Sequence, residues 1–219
     1  MELYVKNKKN NFSNDELNDR YISEGNESNV YLVEDEVFKI YKPICGKRRL
    51  NEETSTYLSK LNTTNILLPK NNIYDKNHNF VGYTMDYLDS YKIDIIKNMN
   101  IVYFVDQIKA LIKDINYLSD NNIDLYDFNL YNVIINDKIN IIDPGSFEIK
   151  KNNRFLHDIN NDALNELILK LIKYSLKLSK KKEDLLRNKF EIEKDFESLM
   201  LVYNENDTVG KVVNKILKY

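Results

Sequence analysis

The 219-residue sequence contains one cysteine, two histidines, five glycines and three prolines, and each scarcity narrows what the chain can be. With Cys45 alone no intrachain disulfide can form, so a disulfide-stapled scaffold is excluded and a reducing compartment fits. Cys45 itself reads as a small buried hydrophobe. His78 and His157 stand in no ligand-spaced cluster, which leaves no basis for a zinc site of Cys and His ligands. A Ser-His-Asp or Cys-His nucleophile is equally unsupported. No stretch approaches the roughly 18 consecutive apolar residues of a membrane span, and the opening MELYVKNKKNNFSNDE has no apolar run of the kind a signal peptide needs. A cytoplasmic protein is the expectation. Nor is there an excess of one charge: Lys and Arg total 32 against 34 Asp and Glu, a formal net charge of -2. No global field therefore favours nucleic acid or a membrane surface, and any charged ligand must be handled locally. By elimination, catalysis would rest on carboxylates, amides and a lysine.

What is present is a soluble, globular composition, 42% hydrophobic and 30% charged, enough to bury a sizeable core. After a polar leader, RYISEG, NVYLVED and EVFKIYKP are rich in β-branched and aromatic residues and separated by turn-formers, as in an antiparallel meander. Pro43 and Gly46 close it. KRRLNEETSTYLSKLN follows with Leu50, Tyr57, Leu58 and Leu61 at helical spacings, then two more strands in NNIYDK and FVGYTMDYL around a Lys-Asn-His-Asn turn. From about Tyr91 the pattern is helical, with Val105, Ile108, Leu111, Ile112, Ile115 and Leu118 marking one face of the longest helix. One hairpin interrupts it, NVIINDKINIID, turning at Asn-Asp-Lys. Helices are expected again over 159–178, 182–203 and from Asp207. LNELILKLIKYSLKLSKKK reads as a core helix with a solvated basic edge. With no internal repeat and no Pro/Gly/Ser-rich linker, the two halves read as one continuous domain.

The segment IDLYDFNLYNVIINDKINIIDPG carries the strongest signal. It combines Asp-x-x-x-x-Asn, an apolar strand starting right after the Asn, a tight turn, a second apolar strand and Asp-Pro-Gly. Asp124 and Asn129 also fit the spacing, but only Asn132 runs directly into the strand Val133-Ile134-Ile135, so Asp127 and Asn132 are the preferred pair. Upstream, SEGNESNV forms a turn between the first two strands, and Lys39 lies in the third. In this order the parts resemble the nucleotide-binding and catalytic core of the protein-kinase-like fold, from Ile22 to Phe147, in a minimal, atypical, bacterial-type form.

The resemblance implies an α+β, bilobal fold: an N-lobe over 1–88 with a five-stranded antiparallel sheet and one helix, and a reduced, mainly helical C-lobe over 89–219. It implies ATP and magnesium as cofactors and phosphoryl transfer to a hydroxyl. Asp127 would be the catalytic carboxylate, and Asn132 and Asp143 the metal ligands. Lys39 would contact the phosphates and pair with a helix glutamate, Glu53 by choice and Glu52 as close second. Gly25 and Ser28 would cover the phosphates. Val30 and Met85 would flank the adenine, with Asp86 to Leu88, at the hinge, as backbone partners of its edge.

The chain departs from the family in the glycine-rich turn, which keeps only its middle glycine as Gly25. Leu125-Tyr126-Asp127 stands where His-Arg-Asp is usual, and Asn129 where a lysine is usual. No Ala-Pro-Glu follows Gly145, so any acceptor platform is minimal or unlike that of ordinary protein kinases. The expected activity is an atypical Ser/Thr protein kinase acting on an unidentified protein. A small-molecule kinase or nucleotidyl-transferring enzyme of the same fold, and a pseudokinase that only binds, are the alternatives.

Overall fold

The computed structural model describes residues 3–5, 11–43, 49–89, 93–126, 128–151, 153–189 and 204–218. Cys45, Gly46, Asp127 and the segment 190–203 of an expected helix lie outside the described residues. The chain divides into two compact units, one comprising 1–88 with 142–149 and the other 89–141 with 150–219.

The first unit is built on an antiparallel sheet in the order β2-β1-β6-β7-β5-β4-β3. Its strands are β1 (Leu3–Val5), β2 (Asn11–Phe12), β3 (Tyr21–Glu24), β4 (Ser28–Val33), β5 (Glu36–Tyr41), β6 (Asn71–Asp75) and β7 (Phe80–Asp86). The sheet thus has seven strands, not the expected five. The two extra ones come from the leader, where Leu3 and Val5 point inward and β1 pairs with β6. Between β2 and β3 lies the short helix α1 (Asn14–Asn18), closed by a capping box in which Ser13 and Glu16 bond each other's backbone N–H.

Side chains alternate across the sheet. One face carries a core of Leu3, Val5, Leu17, Val33, Phe38, Ile40 and Ile73. The register places Val30 and Tyr83 on either side of Lys39 on the other face. The helix α2 (Glu52–Leu58) packs against β6 through polar contacts, the Ser55 hydroxyl donating to Asn72 at 2.6 Å and the Asn72 amide donating to Thr56 Oγ1 at 2.9 Å. Its buried residues are Thr54, Ser55 and Leu58; of the Leu50-Tyr57-Leu58-Leu61 row, Leu50 and Leu58 are buried and Tyr57 and Leu61 half-buried, so the stripe facing inward mixes leucine with small polar residues.

In the second unit α3 (Ile101–Asp120) buries Phe104, Val105, Ile108, Leu111, Ile115 and Leu118 along one face, as the spacing predicts. It packs on α4 (Leu156–Leu176), which buries Leu164, Leu167, Ile168, Leu171 and Ile172. That burial makes the Leu/Ile-rich segment a core helix, and no described helix is long and apolar enough to cross a membrane. After α5 (Lys180–Lys189), α6 (Val209–Ile216) returns beside the start of α3, where Asp207 C=O accepts from Ile101 N–H at 2.9 Å. The short strand β8 (Ile123–Asp124) precedes the predicted hairpin, which forms as β9 (Val133–Ile135) against β10 (Ile139–Ile141). Its turn is held by Asn136, whose side chain accepts from Lys138 N–H at 2.9 Å.

Candidate functional site

Lys39 sits in the middle of β5 with its side chain 12% exposed, and its ammonium makes an ion pair with the carboxylate of Asp143, 104 positions away. Nearly all of the lysine stem is covered, so the charge is held in one place. Asp143 is fixed just as firmly. It has left-handed backbone angles, φ 65° and ψ 68°, which aspartate tolerates better than most residues. It caps the 3₁₀ turn Pro144–Ser146, its Oδ1 accepting from Gly145 N–H at 3.1 Å as well as from Lys39. Proline at the first position of that turn suits it, since its fixed φ matches and no N–H is missed. Gly145 leaves room for the carboxylate: a Cβ there would lie 2.7 Å from Asp143 Oδ1, so a larger residue would have to push that oxygen aside. The strand β11 (Glu148–Ile149) follows the turn.

The structure pairs Lys39 with Asp143 in place of the expected Glu53. Glu53 is exposed in the first turn of α2, and Glu52 is engaged by the Tyr74 hydroxyl at 2.7 Å. The inward face of α2 offers Lys39 no acid. Around the pair lie two tyrosines instead. Tyr83 is directly opposite Lys39 on β7, with its ring centroid 5.9 Å from Lys39 Nζ. Tyr41 packs edge-on against Tyr83 at 6.2 Å. Both phenols are pushed to higher pKa, first by burial and then by the negative charge of Asp143. They stay protonated and can act only as neutral groups.

The other sequence-predicted residues of this unit fall as follows. Val30 is half-buried and cross-strand to Lys39. Gly25 lies in the turn before β4, its N–H donating to Ser28 C=O at 2.8 Å. A Cβ on Gly25 would meet nothing closer than 3.9 Å, so neither the turn nor its protein neighbours demand glycine. Ser28 is not at the turn's tip. It is the first residue of β4, cross-strand to Tyr41 and 1% exposed, which covers its hydroxyl. Met85 is buried on β7 opposite Val37. Asp86 is exposed and accepts from Lys70 at 2.7 Å, and Leu88 is half-buried just beyond the strand.

In the second unit Asn132 ends the 3₁₀ turn Leu130–Asn132, capped by Asn129 through its side chain and the Tyr131 N–H at 2.9 Å. Asn129, expected at the place of a lysine, thus holds the turn that leads into β9. Sequence reasoning missed Asn160. This fully buried amide on α4 donates to the Ser119 hydroxyl and the Ile123 carbonyl, each at 2.8 Å, and accepts from Leu125 N–H at 2.9 Å. It ties the strand entering the Asp127 loop to two helices. Asn160→Ala removes three hydrogen bonds at a buried position, which should cost about 2–4 kcal/mol by orphaning backbone groups and leaving a void. Urea denaturation would show it as a lower midpoint at unchanged slope.

No group of three or more His, Cys, Asp or Glu able to hold a metal exists among the described residues. A cation at Asp143 would have to complete its shell with other oxygens, such as amides, phosphates and water. That donor chemistry fits magnesium, which keeps several waters and commonly takes only one or two protein carboxylates.

No family model matches the chain, and no curated protein matches it in sequence. Among solved structures it is similar to the kinase PK-1 of Cydia pomonella granulovirus, with 23% identity over 60% of this chain and 54% of that one, at a TM-score of 0.46.

Proposed function

We propose that this chain is an ATP- and magnesium-dependent phosphotransferase acting on a hydroxyl, most simply an atypical Ser/Thr protein kinase. The observation that supports it is the Lys39–Asp143 pair. The strand lysine and the aspartate of Asp-Pro-Gly were singled out by separate motifs, and they meet although 104 positions separate them. In the proposed reaction Lys39 binds and orients phosphate oxygens, and Asp143 offers its carboxylate to the cation. Magnesium, when bound, would neutralise the phosphates as charge shifts to the leaving group. Asn132 would add an amide oxygen to the metal shell, and Asp127 would orient the attacking hydroxyl and take its proton.

The test is incubation of the purified protein with labelled ATP and magnesium, followed by mass spectrometry of what becomes modified and by which group. Transfer of phosphate to Ser or Thr is the expected result. Asp127→Ala should lower the rate roughly a hundredfold or more, the scale of a positioned acid-base group, with ATP binding retained. Asp124→Ala, with the same spacing to an Asn but no strand after it, should lose much less. Equal rates in the two variants would refute the loop assignment.

A further inference from the structure

Tyr83 is completely buried, and its hydroxyl has no hydrogen-bond partner at good geometry among the described residues. Phenylalanine would fill the same space without the penalty that attends an unsatisfied buried polar group. The hydroxyl is therefore expected to be used in some state of the site. Its surroundings say for what. Tyr83 stands cross-strand to Lys39, whose ammonium is paired with Asp143. After burial, the charge of the Asp143 carboxylate acts most strongly on the phenol.

The carboxylate of Asp143 already takes two donors on Oδ1, the Lys39 ammonium and the Gly145 N–H. α2 presents only Thr54, Ser55 and Leu58 inward, so that helix brings the lysine no carboxylate. A cation arriving at Asp143 would compete with Lys39 for the same oxygens. A donor that is neutral and rigidly placed can hold the carboxylate during that exchange without repelling the cation.

We propose that Tyr83 is a positioning residue for Asp143, its O–H donating to the carboxylate and forming a three-donor cradle with Lys39 Nζ and Gly145 N–H. Its consequence for nucleotide rests on the phosphotransferase reading. The cradle itself does not.

The experiment uses the full chain as wild type, Tyr83→Phe and Thr84→Val. Thr84 is the adjacent buried hydroxyl, cross-strand to Phe38 on the other face, where it accepts from Asn71 at 3.4 Å. Calorimetry with ATP plus magnesium, and with ATP plus chelator, reads the metal-dependent part of affinity. NMR hydrogen exchange at the Gly145 amide reads the cradle without any ligand. Tyr83→Phe should lose about tenfold in Mg-ATP affinity, in line with a hydrogen bond to a charged group, with metal-free ATP affinity changed less than twofold. Its Gly145 amide should exchange several-fold faster. Thr84→Val should match wild type in both readouts. Unchanged Gly145 exchange in Tyr83→Phe, or equal losses with and without magnesium, would overturn the proposal. If wild type binds no nucleotide while Gly145 exchange still responds to Tyr83→Phe, the cradle stands and the phosphotransferase reading falls.

Discussion

Asp143→Asn is expected to lower turnover by two to three orders of magnitude and weaken Mg-ATP binding at least tenfold, while leaving the backbone where it is. Asparagine tolerates left-handed backbone angles as readily as aspartate, so the turn at φ 65° survives. The amide oxygen can still accept from Gly145 N–H. What is lost is the charge that attracts a hard cation and balances the lysine, and preorganised charge of this kind carries effects on that scale in catalysis. The structure adds a second expectation. Lys39, with its side chain 12% exposed, loses its counter-charge in this variant, and an incompletely solvated ammonium without a partner should cost about 1–2 kcal/mol of stability. Lys39→Met in the same background removes the orphaned charge. The double variant should therefore be at least as stable as Asp143→Asn alone, though just as inactive. Calorimetry and thermal denaturation of wild type and the two variants check this together. Mg-ATP affinity in Asp143→Asn equal to wild type would show that the carboxylate is no metal ligand.

The parts of this fold written in local sequence were legible. β3 to β7 each carry the β-branched and aromatic residues of a strand, and the hairpin β9–β10 carries its own turn in Asn136 and Lys138. The long face of α3 follows from periodicity alone. Pairing between distant segments was not legible. β1 has three residues in a leader rich in lysine and asparagine, and only its place beside β6 makes Leu3 and Val5 core residues. The partner of Lys39 failed for a related reason. Choosing between the helix acids requires knowing which stripe of α2 faces inward. The buried stripe is Thr54, Ser55 and Leu58, held by side-chain hydrogen bonds to β6 that no hydrophobic pattern reports. Tyr83 was hidden likewise, since its place beside Lys39 depends on register. Asn160 gave no signal at all, because one asparagine in an asparagine-rich chain is indistinguishable until its partners are known.

One residue did leave a sequence signal that went unread. A lone glycine inside the strand pattern FVGYTMDYL marks a close approach of backbone, and that is where Gly82 lies. It is cross-strand to both Ile40 and Ile73, in the sheet between β5 and β6. A Cβ at Gly82 would stand 2.1 Å from the Lys39 carbonyl oxygen and 3.1 Å from Ile40 Cα. Those are backbone atoms and cannot swing aside as a side chain could. Gly82→Ala must therefore part β7 from β5 at the point where Lys39 is held. Overpacking of a well-ordered interior costs about 1–3 kcal/mol when side chains can adjust, and more when they cannot, so about 3 kcal/mol or more is expected. For a chain of this size that is a fall in melting temperature of roughly 6–12 °C. The same displacement moves the lysine, so nucleotide affinity should fall even at temperatures where the variant is folded. Gly25→Ala is the comparison, since the nearest atom to a Cβ there is 3.9 Å away and the melting temperature should stay within a degree or two of wild type. Equal stability of the two alanine variants would mean that β5 and β7 do not approach each other as closely as the structure has them.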